Sequence, residues 1–144
     1  MRRSRVTWTG VLTLAACAFE PEGAQRFEPP PIYREWFANT EACSALRGDY
    51  FRIDWFVVPG PAFACPSGQC VAHWHGDHSI FVAERFVDAE MVVRHEMLHD
   101  IIGRPGHPDP PFVRGCGLTW TSWSGAETAP EDRQVMLDIR HSAR

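Results

Sequence analysis

The sequence predicts a small α+β domain, and three observations indicate this class. Residues 32–46 and 88–103 have helical periodicity. Three short runs between these two helices are rich in aromatic and β-branched residues, which is typical of strands. The chain has 144 residues, enough for one domain with a proper core. We therefore expect about three to four short strands with helices packed against them.

The first predicted helix runs from Ile32 to Leu46. Three prolines at 29–31 precede it, and Gly48 follows it as a stop signal. Trp36 and Phe37 are candidates for the core. This segment is the candidate backing helix of the sheet.

The predicted strands follow this helix. Phe51–Val58 alternates between apolar and polar residues and ends at Pro59-Gly60, a turn signal. Gln69–Trp74 and His78–Glu84 are the second and third predicted strands. Ala129–Ile139 is a predicted closing helix, and 118–123 is predicted as a further short strand or a loop.

The helix at 88–103 is the most informative element. Asp88 is its predicted N-cap, and Gly103 is its predicted C-terminal stop. Apolar residues lie nearly all round it, which is typical of a helix in the middle of a domain. Polar side chains buried there are costly without a partner.

This helix carries the pentad His95-Glu96-Met97-Leu98-His99. Residues four apart lie on one face of a helix, so the two imidazoles can bind one metal ion. Glu96 lies beside that face and can act as a general base toward a metal-activated water. The alternative is a pair of core histidines that hydrogen-bond to the backbone.

The pentad in an apolar helix resembles the zincin metallopeptidases, which share H-E-x-x-H. The resemblance implies a Zn²⁺ cofactor, a peptide or protein substrate, and a mixed or antiparallel sheet with one helix behind it and the metal-binding helix across its middle. It also implies that the strand before the metal helix, here 78–83, forms the rim of the cleft; a plain core strand is the alternative.

A catalytic zinc site needs a third protein ligand. The metzincin zincins use H-E-x-x-H-x-x-G-x-x-H, and here Gly103 and His107 each come later than in that pattern, so the spacing departs from it. His107 is the first candidate for the third ligand and Asp109 is the second. Glu127 or Glu131 is the third, by analogy with zincins that use a glutamate from a later helix.

Three further histidines, His73, His75 and His78, lie in or beside the predicted strands. Strand geometry places His73 and His75 on one face with Trp74 on the other. They are interpreted as a substrate-contacting rim, a second metal site or a solvated end of a hairpin.

The N-terminus predicts export. Three arginines precede a short apolar run that ends in Leu14-Ala15-Ala16-Cys17, which resembles a bacterial lipobox. The resemblance implies a signal peptide at 1–16 and lipidation of Cys17; an ordinary signal peptide cut near Ala16 or Ala18 is the alternative. Residues 17–31 are predicted to be a flexible tether, and 32–144 to be the metallopeptidase-like domain.

Four cysteines remain beyond Cys17, and an even count in an exported chain predicts two disulfides. The turn sequence Pro-Ser-Gly favours a Cys65–Cys70 pair, which leaves Cys43–Cys116. A zinc site that contains cysteine is the alternative.

Charge excludes some partners. Without Arg2, Arg3 and Arg5 the chain keeps 11 of its 14 basic residues against 18 acidic ones, and it has no lysine. We therefore expect no nucleic-acid partner, and membrane contact through the lipid anchor only. The sequence does not predict an oligomeric state.

The predicted function is that of a zinc-dependent peptidase of the bacterial cell envelope, on its periplasmic or surface side. An envelope lipoprotein whose zinc is structural or vestigial, and which acts as a binding or assembly module, is the alternative. A hydrolase of a non-peptide bond in cell-wall material is a third hypothesis.

Overall fold

A computed structural model of the chain describes residues 19–124. It confirms the predicted α+β class, with two α-helices, a four-stranded mixed sheet and a separate two-stranded hairpin in this range. The predicted signal peptide at 1–16, Cys17 and the predicted closing helix at 129–139 lie outside the described residues, as do Glu127 and Glu131.

The elements follow one another in a simple order. The strands are β1 (Gln25–Arg26), β2 (Asp54–Val58), β3 (Phe63–Cys65), β4 (Gly68–Cys70), β5 (Ala72–His75) and β6 (Ser79–Ala83), and the helices are α1 (Ile32–Ser44) and α2 (Glu90–Ile102). The four-stranded sheet has the order β1-β2-β6-β5. Only β2 and β6 are parallel in it; β1 and β5 are antiparallel to their neighbours.

The strand before α2 is not the rim of the sheet. β6 lies between β2 and β5 and is buried along its whole length, so the predicted rim at 78–83 is wrong and the core-strand alternative is confirmed. Its unbroken apolar run, Ile80 to Ala83, fits a strand that is covered on both faces. The edge strand on this side is β5.

The segment predicted as a flexible tether, 17–31, differs from that prediction in its described part. β1 pairs with β2, and the backbone N–H of Phe27 donates to the carbonyl of Trp55 at 3.0 Å. Phe19 contacts Phe81 edge to face at 5.4 Å. Two aromatic side chains in an otherwise polar segment supply these contacts, and average composition does not show them.

Two predicted strands are shorter than the sequence suggests. The start of 51–58 is a 3₁₀ turn, Tyr50–Arg52, because Asp49 accepts a hydrogen bond from the backbone N–H of Phe51. The predicted strand at 69–74 is divided between β4 and β5, and 118–123 is a series of turns.

Helix α2 agrees with its predicted limits, 88–103, to within two residues. Gly103 ends it in the left-handed conformation with φ of 65°, as predicted. Asp88 is not the N-cap: Ala89 occupies that position and makes no side-chain cap bond. A 3₁₀ turn at Glu84–Phe86 leads directly into α2, and the N–H of Ala89 bonds to the carbonyl of Phe86, which shifts the start of the helix.

A buried arginine joins the two helices. Arg94 on α2 donates to Thr40 Oγ1 at 3.1 Å and to Glu90 Oε1 at 2.6 Å, and it contacts the sulfur of Cys43 on α1. Burial of such a charge requires partners of this kind. The contact fixes α1 behind the helix that carries the pentad.

Two disulfides close the domain. Cys65–Cys70 bridges the β3–β4 hairpin, and Cys43–Cys116 joins α1 to the segment after α2, so the pairing is the predicted one. Disulfides of this number suggest an oxidising, extracellular compartment. Among residues 19–124, neither helix has the length and apolar character needed to span a bilayer.

Tyr33 is fully buried, and its hydroxyl donates to the carbonyl of Val87 at 2.6 Å. Tyr33→Phe leaves that carbonyl without its partner. We expect a loss of about 1–3 kcal/mol in the free energy of unfolding, measured by urea denaturation. Tyr50→Phe, which removes a hydroxyl that interacts with the exposed Arg34, is the control, and we expect a smaller loss. Equal losses would contradict the role of the buried bond.

Candidate metal centre

Three imidazoles meet at the surface of α2. His95 and His99 lie one turn apart with their ring centroids 4.9 Å from each other. His107 reaches the same point from the segment after Gly103, and Gly106 at φ of 87° helps to turn the chain back. One nitrogen from each ring lies within 4.8 Å of the other two, so this cluster can hold a metal ion.

The two helical histidines have defined tautomers. His95 Nδ1 lies 2.6 Å from the carbonyl oxygen of Leu118, and His99 Nδ1 lies 3.1 Å from that of Arg104. A carbonyl only accepts, so each Nδ1 carries the hydrogen and each Nε2 keeps its lone pair. Burial lowers the pKa of His95 and of His99 to about 4, so both rings are neutral near neutral pH.

His107 completes the cluster. Its Nε2 lies 2.9 Å from Nε2 of His95, a separation at which the two nitrogens share one proton or one cation. Neutral imidazole nitrogens are common ligands of Zn²⁺, at about 2.0–2.1 Å from the ion. The donor set of these three residues therefore fits zinc.

A single aromatic side chain lies under all three rings. Phe112 is fully buried, and its ring centroid lies 5.0 Å from that of His95, 4.7 Å from that of His99 and 4.9 Å from that of His107. It gives the cluster an apolar floor. The sequence did not single out Phe112, because nothing in its neighbourhood of prolines marks it as a contact of the pentad.

Glu96 faces the edge strand. Its carboxylate is buried and accepts a hydrogen bond from the backbone N–H of Trp74 at 2.8 Å. Burial raises the pKa of Glu96 to about 7, against the opposing effects of His99 and of the Trp74 N–H. The side chain lines the cleft beside the three histidines.

Trp74 is a site residue that sequence reasoning undervalued. Its indole N–H donates to Asp100 Oδ1 at 2.9 Å, and its ring lies parallel to that of His99 at 6.0 Å. Asp100 also accepts from His78 Nδ1 at 2.9 Å, while Arg52 donates to the other nitrogen of His78 at 2.7 Å. A carboxylate on a helix that is otherwise apolar was the signal, since a buried carboxylate requires donors.

The remaining candidates are not members of the three-histidine cluster, although His73 lines the cleft beside it. Asp109 pairs with Arg114, which donates from Nε to Oδ2 at 2.9 Å, and it is not part of the cluster. His73 and His75 share the strand face opposite Trp74 and pack against Phe19, with ring centroids 4.8 and 5.8 Å away. The metal-binding group found within 19–124 does not include them.

A cleft of about 410 Å³ opens over the cluster. Pro66 and Ser67 of the β3–β4 hairpin form one wall, and Pro105 and Gly106 form the other. A side pocket of about 140 Å³ adjoins it and shares three residues with it, Ala72, His95 and Glu96; its other walls are Val71, Met91, Val92 and Trp120. A larger cleft of about 590 Å³, between 28–34 and 50–55, contains none of the three histidines.

Comparisons of the chain with protein-family models, with curated proteins and with solved structures found no match.

The geometry makes different predictions for the two leading candidates for third ligand. His107→Ala removes a ring nitrogen from the cluster, and we expect Zn²⁺ affinity to fall by more than about 100-fold, since loss of an outer-shell partner alone costs about 10–100-fold. Asp109→Ala breaks only the pair with Arg114 and should leave affinity within about threefold of wild type. Competition with a chromophoric chelator measures both. A larger loss of Zn²⁺ affinity in Asp109→Ala than in His107→Ala would contradict the assignment of His107 as the third ligand.

Proposed function

We propose that this protein is a zinc-dependent peptidase of the zincin type that is exported to the bacterial cell envelope. One observation carries the proposal. Nitrogens of three imidazoles, two of them on neutral rings, converge beside a buried glutamate, at the bottom of a cleft that is open to solvent. Two of those histidines and the glutamate come from one turn of one helix.

The number of donors supports a catalytic site. A structural zinc site is closed by four protein ligands, whereas a catalytic site has three and leaves one position for water or substrate. The cluster found among the described residues has three members, and the cleft lies over it. This favours hydrolysis over the alternative of a structural or vestigial zinc.

A bound Zn²⁺ ion supplies a Lewis acid that polarises a carbonyl and lowers the pKa of a water molecule to about 7. Glu96 takes the proton of the attacking water and delivers it to the nitrogen of the departing amine. The backbone N–H of Trp74 holds the Glu96 carboxylate at the edge of the cleft, and Asp100 holds the indole of the same tryptophan. The helix and the edge strand therefore position the base together.

The edge of the sheet supports a peptide as substrate. β5 pairs with β6 on one side only, and the described strands leave its other side toward α2 and the cleft. An extended peptide can add to such an edge through backbone hydrogen bonds, using groups other than the N–H of Trp74, which is bonded to Glu96. A peptide bound in this way would have its scissile bond beside His95, His99 and Glu96.

The side pocket supports a preference for an apolar side chain next to that bond. Four of its walls are apolar side chains, those of Val71, Met91, Val92 and Trp120. Among the described residues that line it, Glu96 is the one acidic group. A pocket of about 140 Å³ suits a residue of the size of valine or leucine.

Two features support the proposed location in the cell envelope. The lipobox-like sequence that ends at Cys17 favours a lipid-anchored protein, and the two disulfides agree with an oxidising location. The anchor would keep the domain at the surface of a membrane.

Glu96→Gln tests the assigned base. The amide keeps the size of the side chain but cannot accept the proton. We expect Zn²⁺ content to stay at the wild-type level, and kcat/KM on a peptide library substrate to fall about 10²–10⁴-fold. Glu84→Gln changes an exposed glutamate that precedes α2 and is the control. It should keep both the Zn²⁺ content and the kcat/KM of the wild type. Retained turnover in Glu96→Gln with intact metal would refute the role of Glu96.

Trp120→Ala tests the side pocket. Removing one wall should weaken discrimination between a leucine and a glycine next to the scissile bond by about tenfold, because a few methylene contacts carry about 1–3 kcal/mol. The ratio of kcat/KM for two matched peptides measures it. Trp123→Ala, in the same loop but not in the pocket wall, is the control. An unchanged ratio in Trp120→Ala would place the side-chain preference elsewhere.

A further inference from the structure

One segment, residues 104–118, contributes several of the groups that orient the three histidines. The carbonyl of Arg104 accepts from His99, and the carbonyl of Leu118 accepts from His95. His107 is itself a member of the cluster, and Phe112 contacts all three rings. The helix supplies two candidate ligands, and this segment supplies the carbonyl acceptor of each and the aromatic ring beneath them.

The segment has no helix or strand to hold its shape. A few backbone bonds fold it on itself: the N–H of Cys116 donates to Pro111 at 2.8 Å, and that of Leu118 donates to Phe112, also at 2.8 Å. These bonds connect the floor of the cluster to the carbonyl that accepts from His95. They do not connect the segment to the rest of the domain.

Phe112 and Leu118 of this segment are buried in the core, and the Cys43–Cys116 disulfide connects it to the domain covalently. The disulfide lies two residues before Leu118 and has a Cα–Cα distance of 5.0 Å to α1. The backbone is closely packed here, because a Cβ on Gly115 would lie only 3.2 Å from the carbonyl oxygen of Cys43. Arg94 contacts the Cys43 sulfur from α2, next to His95 in the sequence. Contacts therefore connect α2 to α1 through Arg94, α1 to Cys116 through the disulfide, and the neighbouring Leu118 back to His95 on α2.

We propose that the Cys43–Cys116 disulfide sets the metal affinity of the centre, by holding Leu118 and Phe112 against the imidazoles. Leu118 and Phe112 are positioning residues in this arrangement, and the disulfide fixes where they lie. An acceptor on Nδ1 fixes the ring and makes Nε2 more basic, so its displacement weakens the metal bond. The inference rests on the metal centre of the proposed function.

The test compares two double variants that each lose one disulfide. Cys43→Ala/Cys116→Ala should bind Zn²⁺ about 10–100-fold more weakly than wild type, the range for loss of an outer-shell partner. Cys65→Ala/Cys70→Ala should stay within about threefold, because that disulfide closes a hairpin that gives no hydrogen bond to the three histidines. Competition with a chromophoric chelator gives the affinities, and the metal-free melting temperatures report stability separately.

Equal affinity losses in the two double variants, or no loss in Cys43→Ala/Cys116→Ala, would overturn the inference. Wild-type protein that binds no Zn²⁺ would overturn the proposed function itself, so the two failures are distinguishable.

A second variant keeps both disulfides, in case the first does not fold. Gly117 has φ of 64°, and a Cβ there would lie 3.0 Å from the carbonyl oxygen of Ser122. Gly117→Ala should therefore move the Leu118 carbonyl and weaken Zn²⁺ binding by at least about fivefold. Gly60→Ala strains a remote glycine with φ of 93° and open space around it, and should leave affinity unchanged. The same affinity in the two glycine variants would contradict the role of Leu118.

Discussion

The hydrogen bond from His95 Nδ1 to the carbonyl of Leu118 links two parts of the chain that lie 23 residues apart. An imidazole binds a metal more strongly when its other nitrogen finds an acceptor that fixes the ring, and the backbone carbonyls inside a helix are already bonded within it. The protein therefore has to fold a second segment over the helix. The position of that segment depends on α1, on Arg94 and on the Cys43–Cys116 disulfide.

The sheet also positions a residue of the candidate site, since its edge strand contacts α2. β5 lies at its edge, and Trp74 bonds to α2 through both its backbone and its indole. Both acceptors, Glu96 and Asp100, are one turn apart on the helix, so a single residue, Trp74, sets the distance between strand and helix. That distance decides where the glutamate lies relative to the cluster.

Features that depend on short stretches of sequence, such as helix α2 and the pairing of the cysteines, could be predicted from the sequence. The limits of α2 and its stop at Gly103 follow from periodicity and glycine chemistry, and the pairing of the cysteines follows from one turn sequence. β1 was missed because two residues give no periodicity, and the rim was placed on β6 instead of β5 because strand order is a property of the whole sheet. Phe112 and Leu118 act through position in space, which spacing along the chain does not show.

The cluster draws its ligands from elements of unequal rigidity. His95 and His99 belong to a hydrogen-bonded helix, whereas His107 belongs to a segment that lacks regular secondary structure. Segments of that kind open locally at lower free energy than a core helix. A cation bound by all three rings stabilises, by mass action, the form in which this segment lies against α2. Occupancy of the metal site and protection of the segment from hydrogen exchange are therefore thermodynamically linked.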